Sequence, residues 1–471
     1  MSIDPSRIGA IVAEVLEQLE RDPADPASAR PLGIHASLDD AVAAARRAFD
    51  AWRDTPLETR AQVIASIRDT LRASFETLSR LAVEETGLGR VDDKVLKNRL
   101  VTDRTPGIED LEPTAWTGDH GLTLLERAPY GVIAVITPVT NPSETIINNG
   151  ISMVAGGNTC VFCPHPGARR VSSLTIDLMN RAARRAGAAD PLFHSVAEPT
   201  LDVAKALLRY PGIRLNVVTG GPGVVREALD AGKKAITAGP GNPPAVVDET
   251  ADLEKAARDL VMGASLDNNI ICTDEKEIVC VSLVADRLKE HLARSGALVL
   301  APHQTDAVRK LVLETEKGPR KHAVIQRKYV GKDAAVILRD AGISCPPEKR
   351  LAVCEVDADH PFLWTELMMP VLPLVRMRHV DEAIAFAIEV EHGYRHTASM
   401  HSRNIDKLHA MARACDCSIF VKNGANVCGL GWNGEGPTSF TIASPTGEGM
   451  TTARSFTRIR RCTLVDRFRI V

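Results

Sequence analysis

The chain has 471 residues, with 57 Lys and Arg against 60 Asp and Glu and a formal charge of -3 at pH 7. That balance excludes the electropositive surface of a nucleic-acid binder, and the length allows two or three domains whose core needs no disulfide. Ten cysteines, with no hydrophobic signal segment and no apolar run long enough to span a bilayer, read as reduced thiols of a soluble cytoplasmic protein.

The first twenty residues stand apart. Ile8, Ile11, Val12, Val15, Leu16 and Leu19 recur at helical spacing, so residues 4–20 are expected to form an amphipathic helix, with Asp4 as N-cap and Pro5 in the first turn. "RDPADPASARP" then interrupts the pattern with Pro23, Pro26 and Pro31, and residues 21–35 read as a flexible linker. So short a helix is marginal alone in water. Its apolar stripe needs either the body of this chain or the surface of another protein.

From Leu38 the pattern is helical: Val42, Ala45, Phe49 and Trp52 form one stripe, and Ile64, Ile67, Leu71, Leu78 and Leu81 another. After Pro129 short apolar runs alternate with helical stretches: "GVIAVI" (131–136), "TCVF" (159–162), "LFHSV" (192–196), "LNVVTG" (215–220) and "KAITAG" (234–239). Continuous apolar strands between helices predict an α/β fold with a parallel sheet covered on both faces. Ligands of such sheets bind at the carboxyl ends of the strands. There "TGGPGVVREAL" (219–229) carries Gly220, Gly221 and Gly223 into a helix N-terminus, where backbone N–H groups suit a pyrophosphate. The run is not a G-x-G-x-x-G fingerprint, and turn glycines explain it equally. A second alternation comes next: "PAVVD" (244–248), a helix from Leu253 to Ser265, a strand "EIVCVSLV" (277–284) and a helix from Asp286.

Between that helix and strand lies "LDNNIICTDEKE", with Cys272 in the loop that opens the second domain. Most cysteines are small buried hydrophobes, but the polar residues just before Cys272 argue against a wholly apolar setting. A nucleophilic thiol needs a base, a cation or a helix dipole nearby, and no His adjoins Cys272 in sequence. Cys160 with Cys163 and Cys415 with Cys417 lack a second pair or a His cluster at ligand spacing, so no metal site is expected.

Five segments, "ITPVTNPSETIINN" (136–149), "VVTGGPGVVREAL" (217–229), "TAGPGNPPAVVDETADLEKAA" (237–257), "NIICTDEKEIVC" (269–280) and "TELMMPVLPLV" (365–375), occur in an order and spacing that resemble the aldehyde dehydrogenase superfamily, and within it the CoA-acylating branch. The resemblance implies a Rossmann-type cofactor domain over residues 36–112 and 127–238, a second α/β catalytic domain over 239–437, and an oligomerisation segment over 113–126 and 438–471. It implies that Cys272 attacks an aldehyde carbonyl and that Asn141 and the Cys272 backbone N–H form the oxyanion hole. It also implies that Thr137, Pro138, Gly220, Gly221 and Gly223 approach NAD and that Glu366 orients the nicotinamide ribose. His165 or Arg169, in "CPHPGARR", serves the adenosine moiety of NAD or CoA in this reading, with a surface turn as the equal alternative.

One absence carries further. Hydrolytic members hold a general-base glutamate where this chain has "AGPG", Ala238 to Gly241. Water needs a base to attack a thioester, whereas a thiol ionises far more readily. The expected product is therefore an acyl-CoA rather than a free acid, and the resemblance implies a short aliphatic aldehyde as its source, propionaldehyde ahead of acetaldehyde. Residues 4–20 resemble the encapsulation peptides of bacterial microcompartment enzymes, which implies a shell protein as partner and a homo-oligomer inside the compartment. A hydrolytic aldehyde dehydrogenase, an NAD-independent cysteine acyltransferase and a non-catalytic cargo protein are the rival readings.

Overall fold

The computed structural model describes residues 31–346 and 348–470; the helix expected over residues 4–20 lies outside the described residues. The first sheet comprises β1 (Ile34–His35), β2 (Val132–Thr137), β3 (Thr159–Pro164), β4 (Phe193–Val196), β5 (Leu215–Thr219) and β6 (Lys234–Ala238). Their order in space is β1-β4-β3-β2-β5-β6, and every pairing is parallel. All residues of β2 and β3 are buried, as continuous apolar strands covered on both faces require. The chain moves outward from β2 through β3 to β4 and then returns to β5 on the other side of β2. That reversal leaves a crevice above the carboxyl ends at Thr137 and Thr219.

The second sheet comprises β7 (Pro244–Val247), β8 (Glu277–Val281), β9 (Ala297–Leu300), β10 (Leu351–Glu355), β11 (Val371–Met377), β12 (Thr397–His401) and β13 (Ile419–Lys422), in the order β9-β10-β11-β8-β7-β12-β13 and again parallel. Only residues 239–243 join the carboxyl end of β6 to the amino end of β7. So short a link brings the carboxyl edge of the first sheet against the amino edge of the second. Four helices position residues around this junction: α1 (Val91–Arg104), α2 (Pro142–Ala155), α3 (Pro222–Leu229) and α4 (Leu253–Ser265).

Four expectations need correction. The linker does not run to residue 35: Ile34 and His35 pair with Ser195 and Val196, Asp177 Oδ1 accepts the Leu32 N–H (2.6 Å), and Asn180 Nδ2 donates to Leu32 O (2.9 Å). An open sheet edge takes up the chain. The stripe from Ile64 to Leu81 is split between helices Leu57–Arg72 and Phe75–Thr86. The strand expected to reach residue 284 stops at Val281, where Val284, Ala285 and Leu288 are buried and Leu283 is exposed, the pattern of the helix Ser282–Arg294.

The stretches 113–126 and 438–471, grouped above by resemblance, do not form one structural unit. Strands Thr114–Gly118, Gly121–Pro129 and Thr457–Val465 form an antiparallel ribbon, but residues 438–456 pack on the cofactor domain. There Phe440, Ile442 and Phe456 join the core around α2, and Asn148 Oδ1 accepts the Phe440 N–H (3.1 Å), giving a buried amide its partner.

Candidate active site

The route from α4 to Cys272 is a strained one. Asp267, Asn268 and Asn269 have φ of 45°, 56° and 65°, three consecutive left-handed residues. Each costs about 1–2 kcal/mol, and Asp and Asn are the side chains that tolerate the conformation best. Side-chain hydrogen bonds hold it. Asp267 Oδ1 accepts the Arg90 N–H (2.8 Å), and its Oδ2 takes both Lys94 Nζ (2.9 Å) and Lys97 Nζ (2.5 Å). Asn268 Nδ2 donates to Gly331 O (2.9 Å) and Asp333 Oδ1 (2.8 Å), and Asn269 Nδ2 to Ala264 O and Glu275 O (both 2.9 Å). Lys276 folds back onto Asn269 O (2.8 Å) and Ile271 O (3.1 Å), and Asp274 Oδ2 accepts the Ile271 N–H (3.1 Å). Asn269, Asp274 and Lys276 thus use hydrogen bonds on the loop backbone while Asp267 and Asn268 bind groups beyond it, and with the charges of Glu366, Lys276 and Asp274 close to the thiol its setting is not wholly apolar, as expected.

Cys272 lies at the amino edge of the second sheet and keeps part of its surface open. Burial, and after it the neighbouring Glu366 carboxyl, push its thiol up to about 12. A Cβ on Gly241 would stand 2.6 Å from Cys272 O and 3.1 Å from His396 Cγ, so the "AGPG" segment runs directly between the cysteine and that ring. Glu366 is raised by burial, partly offset by Lys276 and by the Gly241 backbone. His396 is fully buried and drawn down to about 4, by burial first and Lys276 second. Its Nδ1 lies 2.9 Å from Thr397 Oγ1, while its Nε2 has no partner within the described residues. Sequence reasoning missed His396 because it lies far along the chain; it precedes β12, and only the strand order of the second sheet, with β7 between β12 and β8, puts it on the same amino edge as Cys272.

Asn141 is the N-cap of α2, buried, with Oδ1 2.6 Å from Lys97 Nζ. Lys97 also contacts Glu144 Oε1 (3.2 Å) and the Asp267 carboxylate, so the structure ties Asn141 to the turn that leads to Cys272. Neither Lys94 nor Lys97 was singled out from sequence.

The remaining candidates line the crevice of the first sheet. Thr137 ends β2, and its buried Oγ1 has no hydrogen-bond partner within the described residues; Pro138 follows it, half-buried. His165, exposed beyond β3, donates its N–H to Thr137 O (3.1 Å) and accepts the Gly167 N–H on Nδ1 (3.1 Å), while the neighbouring Arg169 pairs with Glu198. Gly220 donates to Ala238 O (3.2 Å) across the sheet. Gly221 caps α3 without a side chain, and added Cβ atoms on Gly221 and Gly223 would meet nothing within 4 Å. Bare N–H groups at a helix start, open backbone and an orphaned hydroxyl fit a dinucleotide.

The model of the aldehyde dehydrogenase family matches residues 22–432. The chain belongs to that family. It is 49% identical to the acetylating acetaldehyde dehydrogenase EutE of Salmonella typhimurium, over 98% of this chain and 99% of the relative. A propionaldehyde dehydrogenase from a fucose-utilisation microcompartment of Clostridium phytofermentans superposes with a TM-score of 0.90 at 44% identity, covering 93% of this chain and 100% of the other. A propionaldehyde dehydrogenase of Rhodopseudomonas palustris, solved with bound CoA and an acylated cysteine, gives 0.89 at 48% identity over 92% and 98%. The resemblance to CoA-acylating aldehyde dehydrogenases drawn from the five motifs is borne out. Among the described residues no group of three or more His, Cys, Asp or Glu is placed to hold a metal ion, and no helix is long and apolar enough to cross a membrane.

Proposed function

We infer that the protein is a CoA-acylating aldehyde dehydrogenase that oxidises a short aliphatic aldehyde and delivers the acyl group to CoA. The observation that carries the reading is the contact of Cys272 with a segment, Ala238 to Gly241, that holds no carboxylate and, at Gly241, has no room for any side chain.

In this reading the Cys272 thiol loses its proton to solvent at the open part of its surface and Sγ attacks the aldehyde carbonyl carbon, while Asn141 Nδ2 and the Cys272 backbone N–H donate to the oxygen as it gains charge. Thr137, Pro138, His165, Gly220, Gly221 and Gly223 would hold NAD, with Glu366 at its ribose; bound NAD supplies the hydride acceptor. The acyl group is left as a thioester on Cys272. The CoA sulfur then attacks that thioester and expels the Cys272 thiolate. His396, kept neutral by burial, offers Nε2 as acceptor for the proton of the incoming thiol.

The test is NADH formation from propionaldehyde or acetaldehyde and NAD, with and without CoA, beside Cys272→Ser. Turnover that needs both CoA and Cys272 is expected, with one acyl group on Cys272 by mass spectrometry when CoA is withheld. Equal turnover without CoA would make the enzyme hydrolytic and would direct attention to Glu366 as the base.

Two further parts of the proposal concern assembly. The ribbon exposes Trp116 (54%) and Ile459 (59%), which suits a homo-oligomer; light scattering measures its size. Residues 4–20 direct the enzyme to a shell protein inside a bacterial microcompartment. Deleting residues 1–20 is expected to abolish co-purification with shells while leaving turnover intact.

A further inference from the structure

An Asn that opens a helix ordinarily accepts the backbone N–H two or three residues on. Asn141 does not: it makes no side-chain cap bond to α2, and its Oδ1 lies 2.6 Å from Lys97 Nζ. An ammonium only donates, so the atom facing it is the carbonyl oxygen, and Nδ2 is turned the other way, with Thr140 Oγ1 (3.2 Å) as its contact. Lys97 itself is buried and held from two further sides, by Asp267 Oδ2 (2.5 Å) and Glu144 Oε1 (3.2 Å). With Lys94 on the same Asp267 oxygen (2.9 Å), two cations face two carboxylates. Asp267 begins the left-handed turn that delivers Cys272. One ammonium therefore touches both the amide of the cofactor domain and the turn of the catalytic domain.

We propose that Lys97 is a positioning residue of the oxyanion hole: it fixes the rotation of the Asn141 carboxamide so that Nδ2 faces the developing oxyanion, and through Asp267 it keeps that amide in register with the Cys272 loop. The inference rests on the assignment of Asn141 to the oxyanion hole. The charge adds a second effect, since drawing electron density onto Oδ1 strengthens the Nδ2–H donor.

A purely structural ion cluster would stabilise the fold without acting through Asn141, and a double-mutant cycle separates the two. The variants are Asn141→Ala, Lys97→Met, the charge-balanced Lys97→Met/Glu144→Gln, and each Lys97 variant combined with Asn141→Ala. Asn141→Ala is expected to lower kcat by about 10²–10³-fold. The Lys97 variants should lower kcat by roughly 10–100-fold with KM for aldehyde and NAD within about threefold, as loss of a transition-state interaction requires. Added to Asn141→Ala, they should cost less than about twofold more.

Multiplicative losses would overturn the proposal, as would wild-type kcat in a folded Lys97 variant. If Lys97→Met does not fold, the balanced pair decides. Failure of both to fold gives Lys97 a stabilising role only and also overturns the proposal. An unchanged kcat in Asn141→Ala would instead overturn the oxyanion assignment itself.

Discussion

At the carboxyl edge of the first sheet, Gly221 and Gly223 lie open, and nothing stands within 4 Å of where a side chain on either would begin. Across the cleft, at the amino edge of the second sheet, the turn before Cys272 holds three left-handed residues whose side chains are all hydrogen-bonded and buried. On the proposed function the two edges differ in what they must do. A dinucleotide that binds and leaves needs bare backbone N–H groups and space, whereas a nucleophile must be held still, and holding it costs backbone strain that the surrounding bonds offset.

The difference can be broken from the strained side first. Asn268→Val places a β-branched residue at φ 56° and removes two hydrogen bonds, to Gly331 O and Asp333. A loss of about 3–4 kcal/mol in unfolding free energy is expected. An unchanged urea midpoint would show that the turn is not strained.

Gly241→Ala comes next, since its Cβ would meet Cys272 O at 2.6 Å. A fall in kcat of roughly 10–100-fold is expected as the cysteine shifts. Wild-type turnover would deny that the segment braces the thiol.

Glu275 tests the buried polarity behind the loop. Burial raises its carboxyl from the ordinary 4.5 to about 8, so between those values the folded state keeps a proton that the unfolded chain has released. Its contribution to stability therefore falls as pH rises from 4.5 to 8. Glu275→Gln, which cannot titrate, is expected to lessen the drop in Tm between about pH 5 and pH 8, measured by calorimetry; an equal drop in both proteins would locate the effect elsewhere.

The smallest effect belongs to the open edge. Gly223→Ala meets no obstacle and favours the helix, so Tm should hold or rise slightly, while KM for NAD rises several-fold if the dinucleotide approaches that backbone. The same substitution at positions 223 and 241 should thus act on different parameters.

Much of this was legible in the sequence because it is local. Apolar runs between helical stretches located β2 to β6 of the first sheet but only β7 and β8 of the second, leaving β1 and β9 to β13 unplaced, and a thiol in a polar loop drew notice to Cys272. The left-handed turn was also signalled, since Asp-Asn-Asn are residue types that tolerate positive φ, but the hydrogen bonds that fix it reach residues far away in the chain. Lys94 and Lys97 were hidden for the same reason. On an amphipathic reading the charges of "VDDKVLKNRLVTDR" face solvent, and only the approach of Asp267, 173 residues from Lys94, shows that these two lysines do not. The place of His396 depends on the strand order of the second sheet, and the use of that sheet's amino edge depends on how it meets the first; periodicity encodes neither.

The stitching of Leu32 to His35 along β4 has a mechanical consequence. The described chain begins beside strand β1, three strand steps from β2 and so roughly 14 Å from the crevice. Gly33, at φ 89°, packs its backbone so tightly that a Cβ there would lie 2.3 Å from Phe193 O. A pull applied at Leu32 is therefore borne as shear by an edge strand and its clamps on Asp177 and Asn180, three strands away from the crevice.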